Sequence, residues 1–113
     1  MYLKAPLQGY ILNVGQIVLI SNYSQLFDYC RSLDDVQLFT LAKNKEFSVE
    51  VENNSLFFVP KSSGKRRKAD EKKTQEVLES FTRYNDWSQA SYKSITFHAS
   101  YILALLHHEK NKS

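Results

Sequence analysis

From Phe47 to Val59 the chain alternates apolar and polar residues with a period of two, and this alternation constrains the fold more than any other stretch. Phe47, Val49 and Val51 interleave with Ser48, Glu50 and Glu52; Asn53 and Asn54 follow, and then a second run, Ser55 to Val59. Successive side chains of a strand point to opposite faces, so the first run has one apolar and one polar side. With Asn53 and Asn54 as the loop, Val51 falls opposite Leu56 and Val49 opposite Phe58, which puts all four on one side. Asparagine tolerates the positive φ that such a turn needs. The same register sets Glu50 against Phe57 on the other face, a half-covered ring beside a carboxylate. Pro60 has no N–H to extend a central ladder, so the hairpin (about 46–59) is expected to end there.

Two helical patterns follow the hairpin. Val77, Leu78, Phe81 and Tyr84 form an apolar stripe on a helix over about 70–84, with Asp70 or Thr74 as its cap and Asn85-Asp86 as its end. Ile95, Ala99, Ile102 and Leu106 recur at helical spacing on a last helix over about 91–108, and Leu103 and Leu105 widen that stripe. Ahead of the hairpin, Leu26, Phe27, Tyr29, Cys30 and Leu33 predict a short helix near 24–33, capped by Asn22 or Ser24. The β-branched residues between Tyr10 and Ile20 favour a strand near Gln16–Ile20, after a lead-in over Tyr2 to Gln8. Val36 to Ala42 reads as a strand or extended segment, with helix as the alternative. The expected fold is therefore α+β: a small antiparallel sheet with a central hairpin, packed against two C-terminal helices, in one compact domain over residues 1–113.

The length allows one modest core, and 42% apolar content with 13% aromatic residues supports its formation. Charge is distributed less evenly than the net +3 suggests. The segment Lys61 to Lys73 holds seven basic residues against Asp70 and Glu71, so it carries +5 and the remainder of the chain sums to −2. A basic loop (61–69) on a slightly acidic body suits a polyanionic partner. Cys30 is the one cysteine, so an intramolecular disulfide and a thiolate metal cluster are both excluded within one chain. Asn13, Gly15 and Gln16 interrupt the apolar N-terminal stretch before it reaches membrane-spanning length. These features lead us to expect a cytoplasmic protein with no membrane partner and no removed leader.

The loop carries the main functional signal. Ser62 and Ser63 offer hydroxyl donors, Gly64 permits a backbone whose N–H groups turn toward an anion, and Lys65, Arg66, Arg67 and Lys68 supply charge and bidentate phosphate geometry. Such groups make positioning contacts to a nucleic-acid backbone. The nucleotide-binding loop Gly-x-x-x-x-Gly-Lys-Ser/Thr is not matched, because its first glycine is missing and Arg66 follows the lysine. Tyr92 is a candidate for base stacking beside the loop, as are Tyr84 and Trp87, although Trp87 also suits a core edge. The competing reading makes 61–73 a solvated connector whose lysines keep the chain in solution.

His98, His107 and His108 form no recognisable metal pair, and no Ser/His/Asp or Cys/His spacing implies catalysis. No enzyme activity, cofactor or metal is expected. The run Phe58-Val-Pro-Lys-Ser-Ser-Gly-Lys-Arg-Arg67, followed by Phe81, Tyr92, Thr96 and Ala99-Ser-Tyr-Ile-Leu103, resembles a segment of uncharacterised small bacterial proteins, some of which accompany mobile elements or restriction-type genes. The resemblance spans roughly Phe47 to Leu106 and implies a DNA-related setting rather than a reaction. That pattern carries Asn where this chain has His98, which leaves the role of the position open.

Two function classes follow, beside a third, an enzyme whose site is assembled in space, which no motif supports. In the first, a nucleic-acid-binding accessory protein contacts phosphates through Ser62, Ser63, Gly64, Lys65, Arg66, Arg67 and Lys68, with Tyr92 stacking. In the second, a homo-oligomeric or other protein-interaction module uses Phe57, Val59 and the Tyr101 to Leu105 side of the last helix, and the loop is a solubilising rim.

Overall fold

The computed structural model describes residues 18–111. In chain order it contains α1 (Tyr23–Arg31), β1 (Leu38–Phe39), β2 (Glu46–Glu52), β3 (Ser55–Pro60), β4 (Arg67–Lys68), α2 (Glu71–Tyr84), a 3-10 turn at Gln89–Tyr92 and α3 (Ala99–Lys110). The strands form an antiparallel sheet in the order β1-β2-β3-β4. The expected α+β class therefore holds.

The hairpin register matches the alternation. Val51 pairs with Leu56, Val49 with Phe58 and Glu50 with Phe57. Asn53 and Asn54 both take left-handed conformations, φ 53° and 69°, which supply the twist a two-residue turn requires. Phe47, Val49, Leu56 and Phe58 are buried on one face, while Glu50 and Glu52 are exposed on the other. Pro60 is the last residue of β3, opposite Phe47 and buried.

Helices cover the apolar face. Asn22 caps α1, its side chain accepting from the Gln25 N–H. Asp70 caps α2 by accepting from the Lys73 N–H at 2.9 Å, and Asn85 ends it in the left-handed region. Ala99 and every residue from Ile102 to Leu106 are buried, so α3 lies inside the molecule with neighbours on nearly all sides. That burial takes Ile102, Leu103 and Leu105 out of the surface expected for a protein-interaction module and into the core, while Val59 stays half-buried. Tyr101 stacks on Phe58 at 5.1 Å and Phe57 lies under the Arg66 guanidinium, so neither ring offers an open apolar patch.

The final helix also starts later than its periodicity predicts. Residues 93–98 form turns, and Ile95 and Thr96 donate their N–H groups to the Tyr92 carbonyl. Two local devices end the helical run there. Asp86 accepts from the Ser88 N–H and the Ser91 hydroxyl, and the Tyr92 hydroxyl donates to the Asp86 carbonyl, so the segment folds back on itself. Thr96 then accepts the His98 N–H.

The expected strand at Gln16–Ile20 begins outside the described residues, as does the lead-in. Val18–Ile20 adopt no regular structure; the Leu19 N–H is taken by the Glu109 side chain on α3 rather than by a strand. Of the segment Val36 to Ala42, Leu38–Phe39 alone is strand. No helix among the described residues is long and apolar enough to cross a membrane.

Cys30 is 2% exposed, and burial pushes its thiol up to about 12. A thiolate is needed for attack. Cys30 in the folded chain should therefore resist an aromatic disulfide reagent and react only when denaturant is added; fast labelling without denaturant would contradict this packing.

Candidate functional site

The basic stretch is not one loop. Residues 61–66 form a turn, and Arg67 and Lys68 then pair with Phe58 and Phe57 as the edge strand β4. Side chains alternate along a strand, so the cluster Lys65-Arg66-Arg67-Lys68 is divided between two faces. Arg67, opposite the buried Phe58, points to the helical side; Lys68, opposite Phe57, points to the open side.

Arg66 also lies on the open face, where its own sheet holds it. Its guanidinium sits 3.7 Å from the centre of the Phe57 ring and bridges Glu50 at 3.2 Å and Glu52 at 2.5 Å. The half-covered ring that the register predicts beside Glu50 is thus covered by an arginine. A phosphate at Arg66 would compete with the two carboxylates that already hold its guanidinium.

The turn itself supplies side chains rather than amides. Gly64 has φ +68°, as anticipated for a residue that must be glycine-like. Its N–H, however, donates to the Pro60 carbonyl at 2.8 Å, and the Lys65 N–H donates to the Ser63 hydroxyl at 3.2 Å. These two N–H groups are used in closing the turn and do not face an anion. Ser62, Ser63, Lys65, Arg67 and Lys68 remain exposed.

On the helical side, Arg67 enters a cleft of about 610 Å³ that is also lined by Lys43, Lys45, Glu46, Lys61, Ser62, Gln89, Ser100 and Tyr101. Lys43 and Lys45 come from the connection between β1 and β2. Its turn is closed by the Asn44 N–H to the Thr40 carbonyl and by the Lys45 N–H to the Thr40 hydroxyl, with Asn44 at φ 53°. Four cations therefore meet one carboxylate. Glu46 pairs with Lys61 at 3.5 Å, while Lys43, Lys45 and Arg67 form no salt bridge among the described residues. Ser62, Gln89, Ser100 and Tyr101 bring neutral hydrogen-bonding groups to the same cleft. The positive end of the α3 dipole lies at Ser100 and favours negative charge there.

No protein-family model matches the chain, and no curated protein or solved structure matches it.

Tyr92 does not serve as a stacking ring. It is 1% exposed, with its hydroxyl satisfied by the Asp86 carbonyl, so it fixes the approach to α3. Trp87 packs edge-on against Phe81 at 4.6 Å and His107 at 5.6 Å and closes the core edge. Tyr84 is exposed on α2. Phe97, which the sequence reading passed over, is 91% exposed just ahead of α3. Lys43 and Lys45 were missed as well, since nothing in the sequence ties them to Arg67. His98 lies between these features, edge-on to Phe58 at 5.4 Å.

Burial first, and then the charges of Arg67 and Lys73, lower the pKa of His98 below its ordinary value; burial and Lys110 do the same to His107. For both, the unfolded chain binds protons more readily than the folded one, so stability should be greatest above the unfolded value of about 6.5 and fall as the pH drops through it. Denaturant titrations at about pH 7.5 and about pH 5.5 should show this loss, and His98→Asn should reduce it. An unchanged midpoint would contradict the burial of both rings.

Proposed function

We propose that this protein binds nucleic acid, contacting the phosphate backbone with Lys43, Lys45, Lys61 and Arg67, while Ser62, Ser63 and Lys65 extend the surface around them and Lys68 lies on the other face of the sheet. The observation that carries this reading is the convergence of four cations from two distant segments on one cleft with a single carboxylate. Their mutual repulsion has little compensation within the cleft, and an anion provides it. Lys72 and Lys73, exposed at the start of α2, extend the charge beyond the dimensions of one small phosphate. A polyanion fits that spread. The DNA-related setting implied by the sequence resemblance fits it too.

Anisotropy of labelled DNA and RNA at about 50 and about 200 mM salt tests the proposal. Affinity should fall steeply with salt, and the double variant Lys45→Gln/Arg67→Gln should weaken binding similarly across sequences. Arg66→Gln is the control: it should lower stability by about 1 kcal/mol through its lost ion pairs and ring contact, and leave the salt slope unchanged. Absence of binding at the lower salt, or a double variant that binds like the wild type, would overturn the proposal.

A further inference from the structure

We propose that Phe97 is a stacking platform for an unpaired base, so that the favoured ligand is a single-stranded nucleic acid whose phosphates run into the cleft at Ser100, Tyr101 and Arg67. This rests on the phosphate-binding function proposed above and narrows it to one class of nucleic acid.

Phe97 is almost wholly solvent-exposed at 91%, yet both of its flanks are anchored. On one side, Thr96 donates its N–H to the carbonyl of buried Tyr92 and accepts the His98 N–H; on the other, His98 packs against Phe58 and leads directly into buried Ala99. An apolar ring held out by a braced turn has lost its backbone freedom and gained no burial, a combination that favours contact with a flat partner. Its position fits that partner. Three peptide units separate Phe97 from Ser100 in the cleft wall, so their Cα atoms are no more than about 11 Å apart, within reach of roughly three stacked nucleotides. Arg67 and Lys73 lie close enough to the neighbouring His98 for their charges to act on it.

An aromatic ring next to a cationic groove is the arrangement that binds single strands: charge follows the backbone and the ring takes a base face. In a duplex the base faces are stacked on one another and a single ring cannot reach them without opening a step. Unpaired bases offer their faces at no such cost.

The test compares the wild type with Phe97→Ala and Phe97→Trp on a labelled oligothymidylate of about 15 nucleotides and on a blunt duplex of equal charge. Phe97→Ala should weaken single-strand binding roughly 5- to 150-fold, leave the salt slope unchanged and leave duplex binding as it was. Phe97→Trp should restore the affinity, and its added fluorescence over the Trp87 background should quench when the strand binds. Because Phe97 makes no core contact, thermal melting of both variants should match the wild type. Equal single-strand affinity of Phe97→Ala and wild type overturns the stacking role while a loss in Lys45→Gln/Arg67→Gln still upholds phosphate binding. Equal losses on duplex and single strand overturn the preference for unpaired bases. A wild type that binds no single strand at low salt overturns it as well, and one that binds neither form removes both proposals.

Discussion

Phe58→Ala should destabilise the protein by about 3–5 kcal/mol, a large share of the roughly 5–15 kcal/mol that a small domain has. Phe58 is fully buried in the middle of β3, stacked on Tyr101 and edge-on to His98, so truncation opens a cavity at the junction of sheet and α3. At about 4–8 °C per kcal/mol, Tm should fall by roughly 12–40 °C. The neighbouring substitution Phe57→Ala provides the contrast. Phe57 is half-buried on the open face and covered by Arg66, so its loss should cost about 1 kcal/mol. Thermal melts of the two variants check the register as well as the packing. A slip of one residue exchanges the two faces, and Phe57→Ala would then be the more damaging change.

Replacing Lys43, Lys45, Lys61 and Arg67 together by glutamine should remove about three from the slope of log affinity against log salt for a single strand, at roughly 0.7 per contact. On the proposed reading those four contacts would account for about a 50-fold weakening between 50 and 200 mM salt in the wild type, and that share should vanish. Lys43, Lys45 and Arg67 make no salt bridge among the described residues, and Lys61 has one exposed partner, so the fold should persist. Circular dichroism with a salt series of binding isotherms checks both halves. A quadruple variant that keeps the wild-type slope would move the phosphate contacts away from this cleft, to Lys65, Lys68, Lys72 and Lys73. The distinction between Arg66 and Arg67 is the sharper part of the prediction: two adjacent arginines differ in role because one faces Glu50 and Glu52 and the other faces the cleft.

The amino-acid sequence by itself determines the hairpin and its register and the stop at Asn85, and narrows the helix caps to Asn22 or Ser24 and Asp70 or Thr74, of which the structure uses Asn22 and Asp70, because each depends on residues within a few positions of one another. Period-two alternation, an Asn-Asn turn and a capping carboxylate act locally, and nothing in the tertiary structure opposes them. The extent of the last helix is less local. Its apolar period runs back to Ile95, but Asp86, Tyr92 and Thr96 draw the preceding residues into a folded-back segment that buries Tyr92, and core burial outweighs the helical period. The site is the most dependent on tertiary structure. The concentration of basic residues in 61–73 is visible in the sequence, whereas their separation by β4 into a sheet-bound Arg66 and a cleft-facing Arg67 requires pairing with β3. The same holds for the meeting of Lys43 and Lys45 with Arg67, and for the exchange of Tyr92 for Phe97 as the exposed ring. Long-range pairing and burial set those positions, and both are properties of the assembled fold rather than of neighbours along the chain.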